Sequence, residues 1–385
     1  MKIAVFTDTY LPQINGVTVY LSSSLKLISK TNDVVLFAPG GPRLKVEQVS
    51  QRMKIYWMPA SPFPFYDGYR IASFNYGRVS AILKKEKPDL VHAHAPVPLG
   101  LQGLLWAKRH GIPSVVTYHT HFPDYLPHLL NGKLPGFLHG IGHYTVRKLI
   151  YHVFKNVSVV TAPTHELCGE LRSYGLHNVT HMPNGVDFHR SRCTPEEGAA
   201  FRKAYGLGKR KVVLYVGRIS FEKRLDVILK AFRMIEKSDR VLVVVGTGPY
   251  LKKLKESAAA LGMKNVIFTG FVKNVGAAYR CADVFASASD TETFGMTFVE
   301  ALHAGLPAIG VRRLGAKEVI TPRCGILVEP DNPVEFAGAM EKLLKDRKSR
   351  ALMAGAATKR AVQYSMGKSI RKTMNIYQTL LTKGC

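Results

Sequence analysis

Short runs of branched and aromatic apolar residues recur along the chain, each closed by Gly, Pro or a polar residue. In the first half they are KIAVFTD (2–8), DVVLFAP (33–39), KIYWMP (54–59), DLVHAHA (89–95), SVVTYHT (114–120) and VSVVTAP (157–163). In the second half they are KVVLYVG (211–217), RVLVVVG (240–246), NVIFTG (265–270), VFASAS (284–289) and LPAIGV (306–311). Continuous apolar runs of this length predict strands buried on both faces, as in parallel sheets. Amphipathic stretches such as LDVILKAFRMIEKS (225–238) fall between them and predict helices. Strand and helix alternating in this way is the pattern of a doubly wound α/β protein, and two such series predict two Rossmann-like domains facing a cleft. The break falls in NGVDFHRSRCTPEEG (184–198), which is rich in turn formers and has no period. The expected domains are therefore 1–190 and 191–365, followed by a basic helix over 366–385 with apolar residues at helical spacing.

Composition narrows the class. The chain has 385 residues, 46% of them hydrophobic, enough for two cores. It carries 54 Lys and Arg against 27 acids, a formal charge of +27. This excess calls for a negatively charged partner: nucleic acid, an anionic membrane surface or a phosphorylated substrate. It is spread out, with 20 basic and 10 acidic residues up to Arg190 and 34 and 17 beyond. Basic residues are not interleaved with aromatics as in a strand platform, and no recognition module is visible, which argues against nucleic acid. Cys168, Cys193, Cys281, Cys324 and Cys385 are odd in number, scattered and without a C-x-x-C pair. Reduced thiols in a cytoplasmic setting are expected. The opening MKIAVFTDTY is too short an apolar run for a signal peptide, and no stretch approaches the roughly 20 residues a membrane span needs. The expected location is the cytoplasm, peripheral at the cytoplasmic face of a membrane.

In open α/β sheets ligands sit beyond the carboxyl ends of strands, so the residues following each strand are the candidates for chemistry. After the first strand, Gly16 precedes a helix expected from Val17; a Gly there lets backbone N–H groups approach an anion, and equally makes an ordinary strand-to-helix turn. After KVVLYVG, Gly217 leads to Arg218 and Lys223, two cations able to meet a diphosphate, or simply solvated charges. After VFASAS comes TETFGMTFVE (291–300), where a helix is expected from Phe294 or Gly295 with Thr293 as its cap. Glu292 then precedes the helix and Glu300 lies about two turns along it. The alternative is a capped helix carrying two solvated acids. His92 and His94, and His119 and His121, form two H-x-H pairs. They could supply a metal's three or four ligands, but one polarised His119 with packed neighbours is the preferred reading, and no metal is expected.

With these residues in view, the sequence resembles the retaining nucleotide-sugar glycosyltransferases of the GT-B fold, family four, over nearly its whole length. The E-x7-E motif of Glu292 and Glu300 around Phe294-Gly295, the G-R-x4-K motif of Gly217, Arg218 and Lys223, and HMPNGVD (181–187) carry the resemblance. It implies that the backbone at Gly16 approaches the donor diphosphate and that Arg218 and Lys223 neutralise it as it leaves. It also implies that Glu292 and His119 contact the transferred sugar, Phe294 and Gly295 offer N–H groups, and Glu300 holds the ribose. The base is expected near Gly270, Phe271 and Val272, and the final helix is expected to return to the first domain. The implied reaction retains anomeric configuration and needs no metal or other cofactor. A glycosidase-like covalent step would require a second carboxyl group about 5 Å away across the bond, which no acid here marks.

Two departures matter. The usual Gly-Gly of the first loop is Asn15-Gly16, and the Gly-Gly ahead of Glu318 is Leu314-Gly315, with Arg312 and Arg313 upstream. YLPQINGV (10–17) with TYHTHFPDY (117–125) is most similar to members that glycosylate membrane lipids: diacylglycerol glucosyl, sulfoquinovosyl and phosphatidylinositol mannosyl transferases. The expected partners are thus a nucleotide sugar, UDP-glucose first, a lipid such as diacylglycerol or a sugar acceptor, and an anionic membrane. Lys84, Lys85 and Lys87 in GRVSAILKKEKP (77–88) are candidates for that surface. So are Arg147 and Lys148 in KLPGFLHGIGHYTVRKLIYHVFKN (133–156), which also holds Lys133, Phe137, Leu138, Ile141, Tyr144, Ile150 and Lys155. The same apolar faces would serve as well to pack a core. A soluble transferase acting on a sugar or polysaccharide and a GT-B sugar-nucleotide epimerase are the other readings.

Overall fold

The structure, a computed structural model, describes residues 1–13, 15–63, 69–94, 97–121 and 136–382. The chain divides into two compact units, Met1–Gly185 with Gly367–Cys385, and Val186–Met366.

In the first unit the strands are β1 (Lys2–Phe6), β2 (Asp33–Pro39), β3 (Lys45–Ser50), β4 (Met53–Met58), β5 (Ala60–Pro62), β6 (Arg70–Ala72), β7 (Leu90–Ala93), β8 (Ser114–Thr117), β9 (Val159–Ala162) and β10 (Val179–His181). Its helices are α1 (Gly16–Ile28), α2 (Tyr76–Glu86), α3 (Leu99–His110), α4 (Gly136–Phe154) and α5 (His165–Ser173). The main sheet runs β10-β9-β8-β7-β1-β2-β4-β3, parallel except for β3, and β5 pairs with β6 in a small ribbon. Each of the six runs read from this half of the sequence contains one strand of that sheet.

The second unit holds β11 (Lys211–Val216), β12 (Arg240–Val245), β13 (Val266–Gly270), β14 (Val284–Ala286), β15 (Ala308–Val311) and β16 (Gly325–Val328). Its helices are α6 (Pro195–Ala204), α7 (Leu225–Ile235), α8 (Leu251–Ala260), α9 (Val275–Cys281), α10 (Met296–His303), α11 (Leu314–Val319), α12 (Pro333–Lys345) and α13 (Arg347–Ala361); α14 (Met366–Thr382) follows. The sheet is fully parallel in the order β13-β12-β11-β14-β15-β16. Alternation along β11 builds both core layers. Val212, Leu214 and Val216 pack into one, and Val213 and Tyr215 into the other. Burying each such aliphatic side chain contributes about 1.5–3 kcal/mol.

Strand order reverses at β1 in the first sheet, which has β2 on one side and β7 on the other, and between β11 and β14 in the second. At such a switch point neighbouring loops diverge and leave a crevice at the strands' carboxyl ends. The loops after β1, β7, β11 and β14 therefore frame the candidate sites.

Candidate active site

In the second unit, Gly217 and Arg218 follow β11, and Phe221–Lys223 form a 3₁₀ turn. Lys223 Nζ donates to Glu292 Oε2 at 2.5 Å, with both side chains about one-fifth to one-quarter exposed. The ion pair thus joins the two loops of the switch point, one from β11 and one from β14, across 69 residues of sequence. The Arg218 carbonyl accepts from the buried Tyr215 hydroxyl at 2.9 Å, which anchors the loop to the sheet.

The helix after Glu292 begins later than its sequence suggests. α10 starts at Met296, and its cap is Gly295 at φ 80°, with no side-chain hydrogen bond. Thr293 is therefore not the cap. A left-handed turn at Gly295, two residues beyond Thr293, feeds the chain into the helix. With the later start, Glu300 sits just over one turn along rather than two. The Tyr279 hydroxyl on α9 donates to Glu300 Oε2 at 2.8 Å. The Phe294 ring is buried against Tyr364 with centroids 5.5 Å apart, so its backbone is what it can offer the site.

The Glu292 carbonyl accepts from Gly315 N–H at 2.8 Å, and a Cβ on Gly315 would come within 2.3 Å of the Phe294 carbonyl carbon. This is the retained glycine of the departed Gly-Gly pair. Leu314 adopts φ 44°, the left-handed conformation a glycine would take without strain, while its side chain is buried. The backbone path thus survives the replacement. Arg313 immediately precedes α11, and Arg312 pairs with Glu329 at 3.0 Å.

Gly270 ends β13 at φ 72°, and its carbonyl accepts from Gly246 N–H at 2.9 Å. Phe271 follows with 68% of its surface exposed, while Val272 packs on the core. Gly246, at the end of β12, escaped sequence reading. A Cβ there would lie 1.9 Å from the Gly217 carbonyl, so the ends of β11 and β12 close up only because it is glycine.

In the first unit, α1 begins at Gly16, one residue before the expected Val17. Asn15 caps it: its Oδ1 accepts from Thr18 N–H at 3.0 Å, and Thr18 Oγ1 accepts from Asn15 N–H at 3.0 Å. Asn15 Nδ2 also donates to Thr9 Oγ1 at 2.9 Å, tying the helix start to the loop after β1. The departure from Gly-Gly is thus a reciprocal capping box. Asp8, in the same loop, accepts from Leu99 N–H at 3.1 Å and Gly100 N–H at 3.4 Å at the start of α3, and burial raises its pKa to about 7.

β8 ends at Thr117, so His119 and His121 lie past the strand and do not share a strand face. His119 Nε2 and His94 Nδ1 share a proton-mediated contact of 2.8 Å, and their rings stack at 5.1 Å. The His92 ring lies 4.0 Å from that of His94. Its two nitrogens are taken by Tyr377 Oη of α14 at 2.5 Å and Thr117 Oγ1 at 2.8 Å, so His92 offers no lone pair to a metal. All three rings are buried. Burial lowers His92 and His119 to about 3 and His94 well below the ordinary value, so the array is neutral at neutral pH. His121 Nε2 instead faces the Glu170 carboxylate at 2.8 and 2.9 Å.

The basic stretches separate in the structure. On α2, Val79 and Leu83 are buried, and Lys84, Lys85 and Lys87 are exposed. These lysines lie where α2 leads into the amino end of β7, the opposite end of the sheet from His94 and His119. On α4, Ile150 and Phe154 are buried, while Tyr144 and Leu149 are 61% and 63% exposed. The Lys148 ammonium lies 5.5 Å from the Tyr144 ring centroid, and Arg147 donates to the Ser173 carbonyl at 2.5 Å and covers the Tyr174 ring. Lys133 and the side chains of Phe137, Leu138 and Ile141 lie outside the described residues. Among the described residues no helix is long and apolar enough to cross a membrane.

Comparison with known proteins decides the family. Residues 14–190 match the model of Glycosyltransferase Family 4, and residues 199–360 that of Glycosyl transferases group 1. An alpha-monoglucosyldiacylglycerol synthase of Streptococcus pneumoniae is 32% identical over 320 residues, covering 80% of this chain and 70% of that protein. The chain belongs to the group 1 glycosyltransferases. A GDP-mannose-dependent alpha-mannosyltransferase of Corynebacterium glutamicum is 27% identical to this glycosyltransferase over 92% of the chain and 84% of the relative. Among solved structures, Anabaena HepE in complex with UDP-glucose superposes with a TM-score of 0.79 at 17% identity, covering 98% of this chain and all of that one. The glycosyltransferase thus has the GT-B fold.

Proposed function

We propose that this glycosyltransferase moves a hexose, glucose in the first instance, from a UDP-sugar to a membrane lipid such as diacylglycerol, with retention of anomeric configuration and without a metal ion. The Lys223–Glu292 pair at the switch point of the second sheet carries the reading. It holds an ammonium and a carboxylate where a sugar diphosphate would arrive, with Arg218 in the same loop and the first-turn N–H groups of α10 nearby in sequence.

In this proposal Arg218, Lys223 and the N–H groups at Phe294 and Gly295 take the negative charge that grows on the diphosphate as the anomeric C–O bond breaks. Glu292 binds hydroxyls of the sugar and Glu300 those of the ribose. The base lies at Gly270–Val272, where the exposed Phe271 ring is available for stacking. Gly217 closes the loop, and in the first unit His119 and the backbone at Gly16 are the residues proposed to bind ligand. The acceptor hydroxyl attacks from the face the leaving group departs, and its proton passes to a leaving phosphate oxygen. The diacylglycerol acceptor is supported by the name of the pneumococcal relative. A GDP-mannose donor is the second reading, favoured by the corynebacterial relative, which matches more of the chain.

A panel of UDP-glucose, UDP-galactose and GDP-mannose, each with diacylglycerol vesicles or with soluble oligosaccharides, tests it. The expected result is a lipid α-glucoside, made undiminished in EDTA. Oligosaccharide product alone, or activity lost on chelation and restored by a divalent ion, would overturn it.

A further inference from the structure

We infer that Tyr279 is a positioning residue for nucleotide recognition, its phenol fixing the Glu300 carboxylate in the orientation that receives the ribose hydroxyls; this rests on the ribose role proposed for Glu300. Three observations carry it. Tyr279 is fully buried on α9, with its ring 6.1 Å from that of Phe285 on β14, so the hydroxyl is delivered from the core and cannot swing away. The hydroxyl has a single proton and two acceptors within reach, Glu300 Oε2 at 2.8 Å and the Thr297 carbonyl at 3.5 Å. The shorter, charged acceptor takes it. Third, α9 is itself held close. A Cβ at Gly276 would lie 2.6 Å from the Ser191 carbonyl oxygen, so the helix sits directly on the backbone of the segment before α6.

Burial and the Glu300 charge hold the phenol well above its ordinary pKa, so it stays a donor across the working range. A carboxylate accepts two vicinal hydroxyls in a bidentate manner only when its plane is set, and a side chain fixed by a buried donor loses less freedom on binding. Tyr279 therefore acts through Glu300 and touches neither ribose nor base. The role escaped sequence reading because nothing in YRCADVF, 21 residues before Glu300, marks that tyrosine as different from a core aromatic.

The test is calorimetric and needs no acceptor. UDP and GDP are titrated into the wild-type full chain, and the tighter is paired with its 2′,3′-dideoxy form. The wild type is expected to prefer the ribose form by about tenfold or more. Tyr279→Phe, which keeps the ring in the core, is expected to weaken the ribose form about three- to tenfold and leave the dideoxy form within about twofold. Equal weakening of both forms, or of neither, overturns the inference, since a merely structural tyrosine does not distinguish them. Glu300→Gln separates the two ideas. If it leaves the ribose preference intact, the ribose role of Glu300 fails whatever Tyr279 does. If it abolishes the preference while Tyr279→Phe retains it, only the positioning role fails. Binding of neither nucleotide overturns both.

Discussion

Lys223 and Glu292 neutralise each other at 2.5 Å while remaining partly exposed, and this sets what removing either should do. Breaking this partly buried pair costs about 1–3 kcal/mol of stability. Losing the ammonium from a developing diphosphate charge, or the carboxylate from the sugar, should cost on the order of 10²–10³-fold in kcat. Lys223→Ala and Glu292→Ala are thus expected to remain folded, with a lowered melting temperature, and lose nearly all turnover; near-normal rates would remove these residues from the site. The histidine array predicts the opposite kind of behaviour, in stability. His92, His94 and His119 have folded pKa values depressed below about 6.5, so the unfolded chain binds more protons. Their contribution is intact above pH 6.5 and is lost as pH falls toward 3. Asp8, raised to about 7, opposes this, its contribution being lost as pH rises from about 4 to 7. Three groups outweigh one, so the melting temperature of the first unit should fall from pH 6.5 to 4.5. His92→Gln should flatten that slope, and Asp8→Asn should steepen it. The two motifs were legible in the sequence because their residues sit at fixed short spacings. The array was not, because the His94–His119 and His92–Tyr377 contacts join residues 25 and 285 positions apart.

At the scale of elements, α11 acts as a brace for the loop that carries Glu292. Its Gly315 donates to the Glu292 carbonyl and lies against the Phe294 backbone with no room for a methyl group. Gly315→Ala must therefore push the loop or the helix aside. The expected outcome is a fall of at least about tenfold in activity with a modest loss of melting temperature, because misplacing a catalytic group by about 1 Å suffices for a large rate effect. An unchanged rate would show that the loop is not held by this contact. Strands with long apolar runs, such as RVLVVV in β12, were readable because they are buried along their whole length. β3 was not read, being exposed at every position, and neither were the three-residue β5, β6 and β10. Such strands exist because a neighbour offers unpaired backbone groups, which composition does not encode. The start of α10 was misplaced for a related reason: Ser/Thr preference pointed to Thr293, whereas the turn is made by a glycine whose φ of 80° no pattern displays.

For the whole molecule, the charge of +27 demands an account, and the placement of the share that the first unit carries constrains one. α2 uses its apolar face for the core, and its lysines stand at the amino end of β7, away from the carboxyl-end loops. α4 differs, since it buries Ile150 and Phe154 and still exposes Tyr144 and Leu149 beside Arg147 and Lys148. Exposed aromatic and aliphatic groups framed by cations suit the headgroup boundary of an anionic bilayer. Arg147 is already engaged with Ser173 and Tyr174, so Lys148 and Leu149 are the cleaner probes. If α4 contacts lipid, Lys148→Glu with Leu149→Ser should weaken sedimentation with phosphatidylglycerol vesicles at least about tenfold, since each cation near such a surface is worth about 1 kcal/mol and the leucine adds burial. The loss should persist at 0.5 M salt, where long-range attraction is screened and the apolar contact is left. Lys84→Glu with Lys85→Glu should instead act only through net charge, its effect vanishing at that salt. Equal binding of wild type to neutral and anionic vesicles at low salt would show that charge does not draw the protein to lipid, and an undiminished double variant on α4 would move the lipid contact off this helix.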